Sequence, residues 1–121
     1  MVRELTVAEY QDITGIKIAQ AAMTTAYVVI YTSPTDTRTY VKDIMIANTT
    51  GNSGSNLHVS VNIVPQGDVT GAANSVIFEK VVAKEDYLHW SGLQILNPND
   101  TIEVKAQATG CTVTISGGQA V

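Results

Sequence analysis

The sequence predicts an all-β domain, an antiparallel β-sandwich of jelly-roll type with about eight strands behind an N-terminal arm. Three observations carry that expectation. Apolar and polar residues alternate over short runs: in residues 57–64, Leu57, Val59, Val61 and Ile63 share one parity while His58, Ser60 and Asn62 hold the other. Successive side chains of an extended chain point to opposite faces, so such a run has one dry face and one wet one. Turn residues punctuate the chain every 8–12 residues or so, the spacing of a sandwich or barrel. No segment sustains the 3.6-residue apolar period of an amphipathic helix.

Residues 1–22 differ from residues 23–121, which hold the sandwich. Thr6-x-x-Glu9 has the form of a capping box for one short helical turn, followed only by Tyr10, Gln11 and Asp12 before Ile13-Thr14-Gly15. Ile16 and Ile18 share a parity, which predicts a short strand at 16–19. The segment reads as an arm that must lie on its own sandwich or on a neighbour. Residues 26–32, AYVVIYT, form a strand too apolar for one wet face, expected to be buried on both sides or capped by the arm. Ser33-Pro34-Thr35-Asp36 is a turn, because Pro fixes φ and Asp bonds its own backbone. Residues 39–48 give the longest strand. Val41, Asp43, Met45 and Ala47 fall on one side and Lys42, Ile44 and Ile46 on the other, a parity that a mid-strand bulge at a sheet edge would reconcile.

Residues 49–56 are a polar, glycine-containing loop; the strand at 57–64 follows and ends at Pro65. Residues 66–74 form a second polar loop, leading to a strand at 76–82 and a charged turn at Lys84-Glu85-Asp86. Two short strands, 87–90 and 93–96, flank Ser91-Gly92, and Asn97-Pro98-Asn99-Asp100 is the plainest turn in the chain. Residues 101–107 alternate with Ile102, Val104 and Ala106 inward. Thr109-Gly110 turns into a strand at 111–116 with Val113 and Ile115 inward. Candidate contact positions are therefore Asn52, Ser53 and Asn56 in the first polar loop and Asp68 and Asn74 in the second. The arm adds Arg3, Glu4, Tyr10 and Asp12.

The chain has 121 residues. One domain of that size hides enough surface to fold without a metal or a disulfide. Charged residues are 15%, against roughly 25% in soluble domains generally. Uncharged polar residues fill the difference, as is common on β-proteins and on surfaces that pack against other subunits. The net charge is −4 and the seven basic residues are scattered. A nucleic-acid partner needs a concentrated basic face, so none is expected. Cys111 is the single cysteine, which excludes an internal disulfide and reads as a small buried thiol. The first twelve residues lack the apolar stretch of a secretory signal. No run approaches the roughly 20 apolar residues of a membrane helix. A soluble protein made in the cytoplasm is expected.

The search for chemistry is barren. Metal sites need clustered ligands, and His58 and His89 lie far apart, the first outward on its strand, the second after a turn where packing or a hydrogen bond suits it better. Asp36, Asp68, Glu85, Asp86 and Asp100 lack the alternating-acid spacing of a calcium loop. There is no G-x-S-x-G elbow, and Gly51, Gly54, Gly117 and Gly118 introduce no helix that would cradle phosphate. Trp90 and the five tyrosines are too dispersed for a stacking face, and Trp90 reads as a core or inter-sheet anchor. No catalytic residue, metal or cofactor is expected, so a non-enzyme is.

The order of turn and core residues adds a resemblance. Tyr31-Thr32 with Pro34, Ile44 with Asn48-Thr49, and Val64-Pro65 with Gly67 are followed by Gly92, Leu96, Asp100, Ile102 and Val104, then by VTISG at 113–117. This series over residues 26–118 resembles a group of small tailed-bacteriophage virion proteins. ELTVAEYQDI at the start is similar to the N-terminal piece of small proteins encoded among phage head genes. The resemblance implies a capsid decoration or cement protein on the outer surface of the head shell. It would bind the major capsid protein and self-associate, a trimer suiting the lattice three-folds, with no nucleic acid or membrane involved. A tail or fibre component that binds host-surface carbohydrate through the loops at 49–56 and 66–74 is the alternative. A small lectin-like or hydrolytic domain is a third expectation, from another class.

Overall fold

The computed structural model describes residues 13–120. The capping box at Thr6 and the contact positions Arg3, Glu4, Tyr10 and Asp12 lie outside the described residues. Eight strands follow in order: β1 (Ile13–Ala22), β2 (Val28–Thr32), β3 (Arg38–Asn48), β4 (Leu57–Val64), β5 (Ser75–Val82), β6 (Tyr87–Leu96), β7 (Thr101–Ala106) and β8 (Cys111–Ala120). They form two four-stranded sheets, β1-β8-β3-β6 and β2-β7-β4-β5, with antiparallel pairing throughout. The chain changes sheet at every connection except β4–β5, which is the double Greek key of a jelly roll.

The inner faces are packed as the alternation requires. Ile44, Ile46, Val113 and Ile115 of one sheet meet Val59, Val61, Ile102 and Val104 of the other, each no more than 1% exposed. Each such side chain contributes roughly 1.5–3 kcal/mol by leaving water. Ile18, Met23, Val41, Leu57, Ile77, Val82, Leu96, Ala106 and Cys111 complete the core.

Several elements depart from their sequence reading, each for a physical reason. Residues 13–22, assigned to the arm, are a ten-residue strand of the sandwich itself, paired with β8 from Ile13↔Ala120 to Ala22↔Thr112. β2 is an edge strand with Val28 and Val29 about half exposed, so its apolar run is neither covered on both sides nor capped. β3 carries the expected register shift between Val41 and Asp43, yet it is central, between β8 and β6. The two short strands expected around Ser91-Gly92 are one strand, β6, bulged where Val41↔Gln94 gives way to Asp43↔Ser91. On β4, Ser60 and Asn62 are 4% and 0% exposed despite their outward parity. The Ser60 hydroxyl accepts the Glu79 amide of the bulged β5, and Asn62 is roofed by Thr70, Gly71 and Ser75 through three hydrogen bonds.

A line of hydroxyls ties the sheets together at one end. Gln119 Nε2 donates to Tyr31 Oη (2.8 Å), whose partner is Thr39 Oγ1 (2.9 Å), whose partner is Ser33 Oγ (2.9 Å), which donates to the Thr37 carbonyl. The amide at one end can only donate and the carbonyl at the other can only accept. The protons therefore all run one way, from Gln119 to Thr37. Ser33 and Thr39 are fully buried, so the chain satisfies groups that would otherwise cost about 1–3 kcal/mol each.

Candidate functional site

Jelly-roll connections fall into two sets at opposite ends of the sandwich. The loops after β1, β3, β5 and β7 share one end, joined by Thr49 N to Gly110 O, Asn48 N to Asp86 O and Met23 N to Cys111 O. The loops after β2, β4 and β6 share the other, joined by Ser33 N to Asp100 O and Asn99 N to Ser33 O. The two polar loops therefore cannot form one binding surface. Asn52, Ser53 and Asn56 are exposed at the first end; Asp68, exposed, and Asn74, half-buried, are at the second.

Each loop is held by side chains rather than left free. Asn48, 3% exposed, donates through Nδ2 to the Ser55 and Val82 carbonyls and accepts through Oδ1 from the Thr50 amide and hydroxyl. Lys84 adds a grip on the same loop: its ammonium donates to the Asn52 carbonyl and its amide to Asn56 Oδ1. At the other end Asp100, 7% exposed, accepts the Gln66 amide on Oδ1 and the Asn97 amide on Oδ2, both 2.9 Å, locking the β4–β5 loop to the β6–β7 turn. Asn48 and Asp100 are thus turn-fastening residues, as is Tyr31 in the hydroxyl line. Pro65 and Gly67 shape the turn that Asp68 N closes onto the Pro65 carbonyl, with Gly67 in the left-handed region.

The chemistry-bearing side chains are dispersed. Among the described residues no three His, Cys, Asp or Glu gather as a metal would need. His58 is exposed on β4 beside a shallow hollow of about 190 Å3 over Ser60, Glu79 and Lys105. His89 Nε2 pairs with Asp43 Oδ1 at 2.8 Å on the outer face of the other sheet, both side chains nearly half exposed. Cys111 is buried, and burial pushes its thiol above the ordinary range, away from the reactive thiolate.

Trp90 bridges the sheets, but at their open margin rather than in the centre. With Val76, Phe78 and Leu88 it lines a groove of about 270 Å3 between the edge strands β5 and β6, its ring against Gly92. A Cβ at Gly92 would stand 3.1 Å from that ring, a tight approach that the ring would have to yield to by a few tenths of an ångström. Because Trp90 is half-buried, Trp90→Ala is expected to cost about 2 kcal/mol in urea denaturation, below the roughly 3–5 kcal/mol of a fully enclosed aromatic. A loss under about 0.5 kcal/mol would place the ring outside the stabilising core.

The feature that sequence reasoning missed is an apolar strip on the outer face of the β1-β8-β3-β6 sheet. Tyr87, Leu93 and Ile95 of β6 are 63%, 54% and 46% exposed, and Met45 of β3 is 38% exposed beside them. Tyr40 pairs with Ile95 in the register and, with Lys42, Leu93 and Gly15, borders a depression of about 390 Å3. The bulges in β3 and β6 scramble the parity that would have revealed the strip.

No family model and no curated protein matches this sequence. Among solved structures, the fold is similar to a chain in the structure of infectious bursal disease virus, Gx strain. The TM-score is 0.34, with 13% sequence identity over 89% of this chain and 30% of that one. This chain spans less than a third of that protein's length.

Proposed function

We propose that the chain is a non-enzymatic structural component of a tailed-bacteriophage virion, a decoration or cement protein that binds the major capsid protein on the outer surface of the head. What supports the reading most is the ordered motif series from Tyr31 to Gly117. Its residues serve here as turn fasteners and core of a jelly roll rather than as a reacting group. A cement protein needs a rigid body and a repeated contact. Each contact can be modest, because a lattice multiplies weak contacts through effective concentration. Residues 1–12 would extend the contact, and synthesis would take place in the host cytoplasm before assembly.

The second reading, a tail or fibre component for assembly or for adsorption to host carbohydrate, draws on the exposed Asn52, Ser53 and Asn56 at one pole. With the loops at opposite poles, only one set could meet a glycan.

Cryo-electron microscopy of particles from the phage that encodes the chain tests both. Density repeated over the head is expected. Density confined to the tail would transfer the function there, and absence from purified virions would overturn both readings.

A further inference from the structure

We infer that residues 1–12 dock on their own sandwich, over a glycine-floored trough on the outer face of the β1-β8-β3-β6 sheet, and keep it covered in the free protein. The inference goes beyond the virion reading and does not rest on it.

The trough, about 390 Å3, is bordered by Gly15, Tyr40, Lys42, Leu93, Gly117 and Gly118. Its floor follows from the strand register. Gly15 pairs with Gly118, Gly118 with Tyr40 and Tyr40 with Ile95, so one row crosses all four strands. Residues paired directly across neighbouring strands share a face. Tyr40 alternates with the buried Thr39 and Val41 and so faces outward. The β1 and β8 half of that row therefore offers backbone alone, while at the far rim Leu93 and Ile95 are 54% and 46% exposed.

Gly15 is the residue that calls for an occupant. A glycine inside a strand costs roughly 0.5–1 kcal/mol relative to alanine. Gly117 is required, because its Cβ would overlap the Tyr40 carbonyl. Gly15 has no such reason: its φ lies outside the left-handed region, and its Cβ would meet nothing nearer than the Gly117 oxygen at 3.9 Å. The described residues leave room there for a side chain. A strand glycine of this kind marks a place where a ligand or another stretch of backbone approaches closely.

Connectivity names the occupant. Residues 1–12 join the sheet at Ile13, two residues and so about 7 Å from Gly15. Twelve residues reach up to about 40 Å, and the row from Gly15 to Ile95 spans three strand spacings, about 14 Å. A tether of that reach holds the segment at the trough at an effective concentration in the millimolar range, which an untethered competitor must exceed. The segment also has suitable side chains. Val2, Leu5, Val7 and Tyr10 are apolar, Glu4, Glu9 and Asp12 outnumber Arg3, and Lys42 is the charged residue bordering the trough. A partner that drew residues 1–12 away would bare Tyr40 and Leu93, so taking up the segment also opens the surface beneath it.

Nuclear magnetic resonance of the full chain tests this, with a nitroxide attached at Arg3→Cys while the buried Cys111 stays unmodified. Strong broadening of the Tyr40 and Leu93 amides is expected, with the His58 and Glu103 amides of the other sheet left sharp. Gly15→Leu, built into open space, should fill the trough and reduce the broadening severalfold. Leu93→Lys, at the exposed far rim, should do the same, and both variants should keep the circular dichroism of the folded sheets. Broadening no stronger at Leu93 than at His58, or broadening that both variants leave unchanged, would overturn the proposal. So would its loss on dilution with unlabelled chain, which would put the segment on a second copy. No particle enters the experiment, so this inference and the virion reading fail independently.

Discussion

Gly117→Ala is expected to destabilise the protein by about 3 kcal/mol or more, measured by urea denaturation. A Cβ built at Gly117 would lie 1.8 Å from the Tyr40 carbonyl oxygen, 2.9 Å from its carbon and 3.1 Å from the Lys42 nitrogen. All three are backbone atoms of β3, so no rotamer change can relieve the overlap. β8 lies between β1 and β3, and Gly117 sits at the point where the β3 register shifts. Separating the two strands there would break ladder hydrogen bonds on both sides of the bulge. Gly15→Ala is the control. It lies on β1 and registers with Gly118, and its Cβ would meet nothing nearer than the Gly117 oxygen at 3.9 Å, so a change within about 0.5 kcal/mol is expected. Equal, small effects at both positions would show that the β3–β8 approach is looser than described.

Asn48→Ala should cost about 2–4 kcal/mol. The substitution strips the Ser55 and Val82 carbonyls of their donor and the Thr50 amide of its acceptor. A buried polar group left without a partner costs about 1–3 kcal/mol. Asn48→Asp separates the two halves of the effect. It keeps the acceptor for Thr50 and removes the donor, so it should be at least as damaging as the alanine. An aspartate variant as stable as the wild type would mean that the donor side contributes nothing. Hydrogen exchange across residues 49–56 should accelerate in both variants, because Asn48 is what fastens the loop to the end of β5.

The fold class was legible because the inner faces alternate cleanly where strands are regular. In β7, Ile102, Val104 and Ala106 are read inward from the sequence and are all no more than 1% exposed. The sandwich class and six of its strands, β2, β3, β4, β5, β7 and β8, also follow from the pattern. What was not legible divides by cause. Composition gave the wrong environment for β2, since Val28 and Val29 report that a strand is apolar and not where it lies in the sheet. Bulges broke β6 into two apparent strands and hid the outward set Tyr87, Leu93 and Ile95. Parity told which face Ser60 and Asn62 occupy, but a loop far along the chain decides whether that face is wet. β1 was read only as a short strand at 16–19 within an arm, because its AQAA end has no clear alternation and its partner, β8, lies far along the chain. Of the candidate contact positions, the sequence showed the loops to be exposed and could not show that they stand at opposite poles.

That last pairing has a consequence for how the molecule comes into being. β1, the first described strand, is hydrogen-bonded on its sheet side to β8, the last, and β8 also supplies one neighbour of β3. On a ribosome β1 must therefore wait, unpaired, until β8 has been synthesised. Non-local pairing of this kind slows folding, because the entropy of closing a long loop is lost before any contact is gained. β4, β5 and β7 can assemble earlier, from neighbours nearer in the chain. The arrival of β8 would then close the second sheet in one late event, engaging β1 and β3 together. A nascent chain stopped before residue 111 would hold most of its apolar residues and yet have two strands with nothing between them. Pairing of β8 is thus the event that closes the second sheet.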